Sequence, residues 1–277
     1  MVTVKDYPAN LIQAARMVML ELSRLLGEYS DSIVIVGGWV PELIIPQGKN
    51  PHIGSIDVDL ALNHQSITTD SYKTILDLML ERGYKQGTQP FIFYRDVIID
   101  KHQIAVQVDL LAGEYLGTGP SHRTQQVQDL RPRKARGADI AFLNPIMADL
   151  AGELPEGGRD HARIQVASIP AFIIMKGFAL RGRLKEKDSW DIYYCLRHFP
   201  GGIEKLIKEM EPLKKNKLAV ESLGIIAEKF SSPESVGPVH VVNFDEITNP
   251  EEREQIQRDA YERVRVLLSG VGVGQYP

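Results

Sequence analysis

The sequence predicts an α+β fold in which a mixed sheet with flanking helices is followed by a helical C-terminal domain. Apolar runs of strand length alternate with helical patterns through about the first 168 residues, and helical patterns fill the rest. This change predicts two domains, 1–168 and 169–277, and a chain of 277 residues is long enough for both. Its 43% hydrophobic and 25% charged residues are typical of a globular protein.

The first domain begins with a helix and a buried strand. Apolar residues recur at helical spacing over 9–28, and the uninterrupted run Ile33-Val34-Ile35-Val36 predicts a buried strand. A second apolar run over 55–62 follows a diglycine turn and a loop. The remaining predictions are a short helix over 41–45, a helix over 70–82, strands over 91–94, 104–111 and 163–167, and an irregular segment over 113–137.

The second domain is predicted to be helical throughout. The expected helices cover 170–184, 188–198, 202–212, 215–230 and 250–269, and a loop is expected over 231–238. The last helix has the clearest start, because Asn249 can serve as its N-cap, Pro250 suits the first helical position and acidic residues follow.

Composition excludes several classes of protein. The net charge of −4 gives no global basic field for nucleic acid, so any such contact must use a local patch. A single cysteine, Cys195, excludes an intramolecular disulfide and a cysteine metal cage, and the scattered histidines lack zinc-binding spacing. The most apolar segment, 169–180, is too short to span a membrane, and no targeting signal is visible. We therefore expect a cytoplasmic protein without membrane contact.

Two aspartates one residue apart are the most informative feature of the chain. Asp57 and Asp59 alternate with Ile56, Val58 and Leu60, so on a strand the two carboxylates project from the same face. Adjacent like charges are costly unless a cation lies between them. Because Mg²⁺ prefers carboxylates and substrate phosphates as ligands, the pair predicts a metal-assisted reaction on a phosphate-bearing substrate.

Asp109 and a diglycine extend this candidate site. Asp109 comes near the end of the predicted strand 104–111, and if that strand neighbours the aspartate pair, three carboxylates meet. Three acids can hold two Mg²⁺ ions, and Asp109 could also accept the proton of an attacking hydroxyl. Gly37-Gly38 allows close backbone approach, and its N–H groups can cradle phosphate, although a purely structural turn is the alternative.

A basic cluster in the predicted irregular segment offers a contact for a second substrate. Arg131, Arg133, Lys134 and Arg136 could meet the acceptor, including the phosphates of RNA. The alternative is a solvated loop without a binding role.

Taken together, these motifs resemble the nucleotidyltransferase fold of the DNA polymerase beta type. The resemblance rests on Ile35-Val36-Gly37-Gly38-Trp39, then Asp57-Val58-Asp59-Leu60, then Asp109 in a later strand. The spacer from Trp39 to Ile56 has 18 residues and is longer than usual in that family. The resemblance implies that the acids bind metal and that the glycines face the nucleotide.

A second motif is similar to that of the AbiEii-like nucleotidyltransferases, toxins of bacterial abortive-infection and type IV toxin–antitoxin systems. It runs from Lys176 through Arg183 and Asp188 to Asp191, and the whole resemblance covers about 30–200. A lysine within an apolar helix is costly unless it meets an anion such as a triphosphate, and Arg183 lies on the same helical face. The resemblance implies that Lys176 contacts phosphate and that Asp191 belongs to the active site, with Arg183 beside the nucleotide.

The alternative role for Lys176, Asp188 and Asp191 is a salt-bridge network, in which Asp188 could also cap the helix that follows. The function predicted from all the motifs is Mg²⁺-dependent transfer of NMP from an NTP to an acceptor. The resemblance favours a toxin acting on tRNA, with a cognate antitoxin as partner. Two alternatives are a small-molecule nucleotidyltransferase of the antibiotic-modifying type and a non-catalytic nucleotide-binding protein of the same fold.

Overall fold

The computed structural model describes residues 1–46, 48–63, 66–67, 69–113 and 132–273. Their contacts divide the chain into two compact units. The sheet unit comprises 7–44 and 54–168, and the helical unit comprises 1–6, 45–53 and 169–277. One boundary therefore falls where the sequence places it, between 168 and 169, and the helical unit also includes two earlier segments of the chain.

The sheet unit is built on one mixed sheet, which confirms the predicted fold class. Its strands in the described residues are β1 (Ile33–Val36), β2 (Asp57–Leu62), β3 (Lys85–Gln86), β4 (Ile92–Ile99), β5 (His102–Ala112), β6 (Arg133–Lys134), β7 (Ile146–Glu153) and β8 (Arg159–Val166). They lie in the order β3-β4-β5-β2-β1-β8-β7, with β6 paired to β5. β2, the strand that carries the aspartate pair, lies between β1 and β5. It is antiparallel to β1 and parallel to β5.

Helix α1 covers one face of this sheet. The α-helices in the described residues of this unit are α1 (Ala9–Leu25), α2 (Trp39–Ile44) and α3 (Thr69–Glu81). Val58 and Leu60 of β2 are buried on the α1 side, at 0% and 2% exposure. Because side chains alternate along a strand, Asp57 and Asp59 project from the opposite face.

A buried carboxylate anchors α1 to this sheet. Glu21 accepts hydrogen bonds from Arg82 Nε at 2.8 Å, from the Tyr84 hydroxyl at 2.8 Å and from Arg95 Nε at 2.9 Å. Burial opposes ionisation of Glu21, but the Arg95 and Tyr84 bonds outweigh it and lower the pKa of the carboxyl. The cluster therefore links α1 to β4, the strand that carries Arg95.

The helical unit packs its helices closely through small residues. The α-helices in its described residues are α4 (Ile169–Gly182), α5 (Glu186–His198), α6 (Gly202–Met210), α7 (Lys217–Lys229), α8 (Val236–Phe244) and α9 (Pro250–Gly270). A β-carbon at Gly177 of α4 would lie 2.1 Å from Ser222 Oγ of α7, so only glycine permits this approach. The Ser222 hydroxyl donates to the Ile174 carbonyl at 2.6 Å, so this buried hydroxyl has a hydrogen-bond partner.

Helix starts in this unit follow the sequence in one case and depart from it in another. Asn249 Oδ1 accepts from the Glu252 N–H at 3.0 Å, so the predicted N-cap of α9 is confirmed. The expected cap of α5 by Asp188 is wrong, because α5 begins at Glu186 and Asp188 lies inside its first turn. There its carboxylate pairs with Lys176 and Arg183 instead.

Other boundaries differ from the sequence predictions for identifiable reasons. No strand is predicted over β7, whose alanine, glycine and methionine content favours strands weakly, yet it pairs with β8 along all eight of its residues. The loop expected over 231–238 ends early, because α8 starts at Val236 and accommodates Pro238 in its first turn. Within the described residues, no helix combines the length and the apolar composition needed to span a membrane.

Candidate active site

The diglycine turn lies directly against the second aspartate. β1 and β2 pair so that Val36 is opposite Asp59, and Gly37 follows with φ of +71°. A β-carbon at Gly37 would lie 1.9 Å from Asp59 Oδ2. Both the positive φ and the close approach therefore require glycine at this position.

Asp57 is held by two neighbours. The Ser55 hydroxyl donates to Asp57 Oδ1, and Trp39 Nε1 donates to the Asp57 carbonyl at 2.7 Å. Trp39 is 1% exposed and begins α2, immediately after the glycine turn. The indole thus links the start of β2 to the end of the turn.

Asp109 lies beside the aspartate pair, on the neighbouring strand. The parallel register of β2 and β5 makes Asp59 the partner of Asp109 and Asp57 the partner of Gln107. Partners in register project from the same face, so the three acids share one face of the sheet. Asp109 is 8% exposed, and its Oδ2 accepts from Gln107 Nε2 at 2.9 Å.

The shared face has the chemistry of a metal site, but its side chains do not form one as they stand. In the described part of the chain, no set of three His, Cys, Asp or Glu side chains is arranged to hold a metal ion. Asp57 and Asp109 each accept a hydrogen bond from the polar residue two positions earlier. The carboxylate donors and the backbone register of the two strands fit Mg²⁺.

Sequence reasoning did not single out Ser55, Gln107 or Trp39. A local signal was present for the first two, because Ser55 and Gln107 each precede an aspartate by two residues and therefore share its face. Trp39 carried no such signal, since its partner carbonyl lies 18 residues away in the chain.

The second group of predicted residues belongs to the helical unit. Lys176 Nζ lies 2.6 Å from Asp188 Oδ1 and 2.6 Å from Asp191 Oδ2. Lys187 Nζ lies 2.8 Å from Asp191 Oδ1, and Arg183 Nε lies 2.9 Å from Asp188 Oδ2. The structure thus pairs Lys176 and Arg183 with carboxylates of their own unit.

Burial and charge act against each other throughout this cluster. Burial opposes the charged form of Lys176, but Asp188 and Asp191 outweigh it and raise the pKa of the amine. Lys187 has Asp191 as its close partner, and there burial prevails and lowers the pKa. Burial also opposes ionisation of Asp191, but Lys176 and Lys187 hold the pKa of this carboxyl well below its usual range.

His52 completes the cluster from the segment 45–53. Its Nε2 lies 3.0 Å from Asp191 Oδ1, and its ring lies 5.1 Å from the Trp190 ring and 4.8 Å from the Tyr194 ring. The Tyr194 hydroxyl donates to the Asn50 carbonyl at 3.1 Å, which ties the same segment to α5 a second time. Burial lowers the pKa of His52 to about 4, so the imidazole is neutral at pH 7.

This shift predicts an acid-sensitive stability. The pKa of an unperturbed histidine is 6.5, so between pH 6.5 and about 4 the unfolded chain binds a proton at His52 that the folded chain does not. Stability must therefore decrease as the pH is lowered from 6.5 to about 4, by up to about 1.4 kcal/mol per pH unit for one proton. We expect His52→Gln, which keeps a donor for Asp191, to unfold in urea with a shallower pH dependence than the wild type. Parallel pH profiles for the two proteins would contradict the assignment to His52.

No family model matches the chain, and no match was found among curated proteins or among solved structures. Asp57, Asp59, Asp109 and the glycine turn come together in the sheet unit, and Lys176, Arg183 and Asp191 come together in the helical unit.

Proposed function

We propose that the protein is a Mg²⁺-dependent nucleotidyltransferase that moves a nucleoside monophosphate from an NTP to an acceptor. The observation that carries the proposal is the carboxylate face: Asp57, Asp59 and Asp109 on two parallel strands, beside a turn that requires glycine. The sequence resemblance to nucleotidyltransferases of the polymerase beta and AbiEii-like types supports it.

The residues of this face have distinct roles in the proposal. Asp57, Asp59 and Asp109 would hold Mg²⁺, which when bound neutralises phosphate charge and orients the reacting oxygens. Ser55 and Gln107 orient two of the carboxylates through the hydrogen bonds described above. Gly37 and Gly38 let the backbone come close to the phosphates of the NTP.

The reaction is a displacement at the α-phosphorus. An acceptor hydroxyl attacks, a new phosphorus–oxygen bond forms, and the bond to the bridging oxygen of the β-phosphate breaks so that pyrophosphate leaves. Asp109, the most buried of the three acids, accepts the proton of the attacking hydroxyl. Much of the rate enhancement would come from positioning and from charge neutralisation.

The resemblance also suggests the biological setting. A cytoplasmic toxin that modifies tRNA, with a cognate antitoxin, is the form of the proposal that the AbiEii-like motif favours. The same motif assigns Lys176, Arg183 and Asp191 to nucleotide binding. This assignment remains a prediction, because in the structure these charges are paired within the helical unit.

A labelling assay tests the proposed activity. The protein is incubated with Mg²⁺, total RNA, total protein and each α-labelled NTP in turn, and both pyrophosphate and label transfer are measured. We expect pyrophosphate release with label in the RNA fraction. Label in protein or in a small molecule would change the acceptor, and no pyrophosphate with any NTP would contradict the activity.

A non-catalytic nucleotide-binding protein of the same fold is the second candidate. It is favoured by one observation, that the three carboxylates do not form a metal-holding set as they stand in the described residues. Thermal stabilisation by NTP separates the two candidates. Stabilisation that needs Mg²⁺ favours the transferase, whereas stabilisation that ignores Mg²⁺, without pyrophosphate release, favours the binding protein.

A further inference from the structure

Arg133 lies on the carboxylate face, although it follows the aspartate pair by more than 70 residues. β6 pairs with β5 in parallel, and Arg133 is the partner of Leu111. Leu111 comes two residues after Asp109, so the two share a face, and a parallel partner of Leu111 shares it too. The guanidinium is therefore attached on the same side of the sheet as the three acids.

Arg133 is exposed to solvent. Within the part of the chain that the structure describes, its side chain makes no ion pair. Two other arginines of the same unit, Arg82 and Arg95, are both paired with Glu21. An exposed arginine on the same sheet face as the three carboxylates, and not paired with them, is available for an anion brought by a substrate.

Arg133 and the glycine turn lie on opposite sides of the acids. Leu111 pairs with Ala61 of β2 along one edge of β5, so β6 must lie along the other edge. The glycine turn follows β1, which flanks β2 on its far side. β1 and β6 are thus separated by three strand spacings, roughly 14 Å, with the acids on the two strands between them.

We infer that Arg133 binds a phosphate of the acceptor, close to the attacking hydroxyl. In an in-line displacement the attacking and leaving oxygens lie on opposite sides of the phosphorus. If the glycine turn faces the leaving phosphates of the NTP, the acceptor enters from the side of β6, where Arg133 stands. The acceptor then carries phosphate beside its hydroxyl, as the end of an RNA chain does and a protein side chain does not. This inference rests on the proposed function.

Acceptor binding can be measured without turnover. A fluorescein-labelled single-stranded RNA oligonucleotide is titrated with the full-length protein in the absence of NTP and Mg²⁺, over a series of salt concentrations. Arg133→Gln should weaken binding at every salt concentration and reduce the slope of log Kd against log salt by about 1, as expected for one lost phosphate contact. Arg159→Gln, which removes an exposed arginine of β8 in the same unit, is the matched control and should leave both quantities unchanged.

One outcome overturns the inference: equal RNA affinity for Arg133→Gln and the wild type removes the contact. A parallel titration with NTP then gives the alternative, because weaker NTP binding by the variant would assign Arg133 to the donor instead. Failure of the proposed function looks different, because the wild type would then release no pyrophosphate from any NTP, whatever the Arg133 variant does to RNA binding.

Discussion

Replacement of Asp59 by asparagine is expected to reduce pyrophosphate release by more than about 100-fold while leaving the fold intact. Loss of a residue that merely supports a metal ligand costs about 10- to 100-fold, so loss of a ligand itself should cost more. Asparagine keeps the shape that fits against Gly37, and it removes one of three like charges on the face. Stability should therefore be unchanged or slightly higher.

The matched control is an acid on the same sheet face that does not belong to the three proposed metal ligands. Asp96 projects from the same sheet face, on β4, where it pairs with Lys85 at 2.7 Å. Asp96→Asn should retain activity, and Asp57→Asn should behave like Asp59→Asn. Urea unfolding of all three variants checks the fold, and pyrophosphate release with saturating Mg²⁺ checks the activity. Wild-type turnover in both Asp57→Asn and Asp59→Asn would remove the metal assignment.

The largest effect on stability is expected at Asp191. Its carboxylate lies within 3.0 Å of Lys176, Lys187 and His52, and its side chain is 0% exposed. Asp191→Ala leaves two lysine charges buried with one fewer counter-charge, and breaking a buried pair in this way costs about 3–5 kcal/mol. The total stability of a protein is about 5–15 kcal/mol, so this loss would be a large fraction of it. Chemical denaturation monitored by circular dichroism would measure the loss.

Two further variants make this prediction specific. Glu209→Ala removes an exposed partner of Lys205, at 3.8 Å in the same unit, and should cost less than about 0.5 kcal/mol. Lys187→Met in the Asp191→Ala background should recover part of the loss, because it removes one uncompensated charge. If Asp191→Ala is no more destabilising than Glu209→Ala, the cluster does not stabilise the helical unit.

Features carried by neighbouring residues could be predicted from the sequence. The four β-branched residues 33–36 define β1 with the observed bounds, and the cap at Asn249 marks the start of α9. The alternation around Asp57 and Asp59 correctly places both acids on one face. Adjacency of β2 and β5 could be stated only as a condition, because strand order depends on packing across the whole sheet.

Features carried by distant residues could not be predicted. His52 and Asp191 are 139 residues apart, and neither has a local pattern that announces the other. The pairing of Lys176 with Asp188 spans 12 residues, and the sequence allowed it only as an alternative to phosphate binding. β7 is an edge strand with weak intrinsic preference, so its partner β8 determines its conformation more than its own residues do.

The segment 45–53 makes the protein indivisible by a single cut. A fragment that ends at residue 168 would keep His52 and lose Asp191, and the complementary fragment would bury Asp191 without the imidazole that it contacts. Neither piece would therefore be a fair substitute for the whole chain in truncation studies.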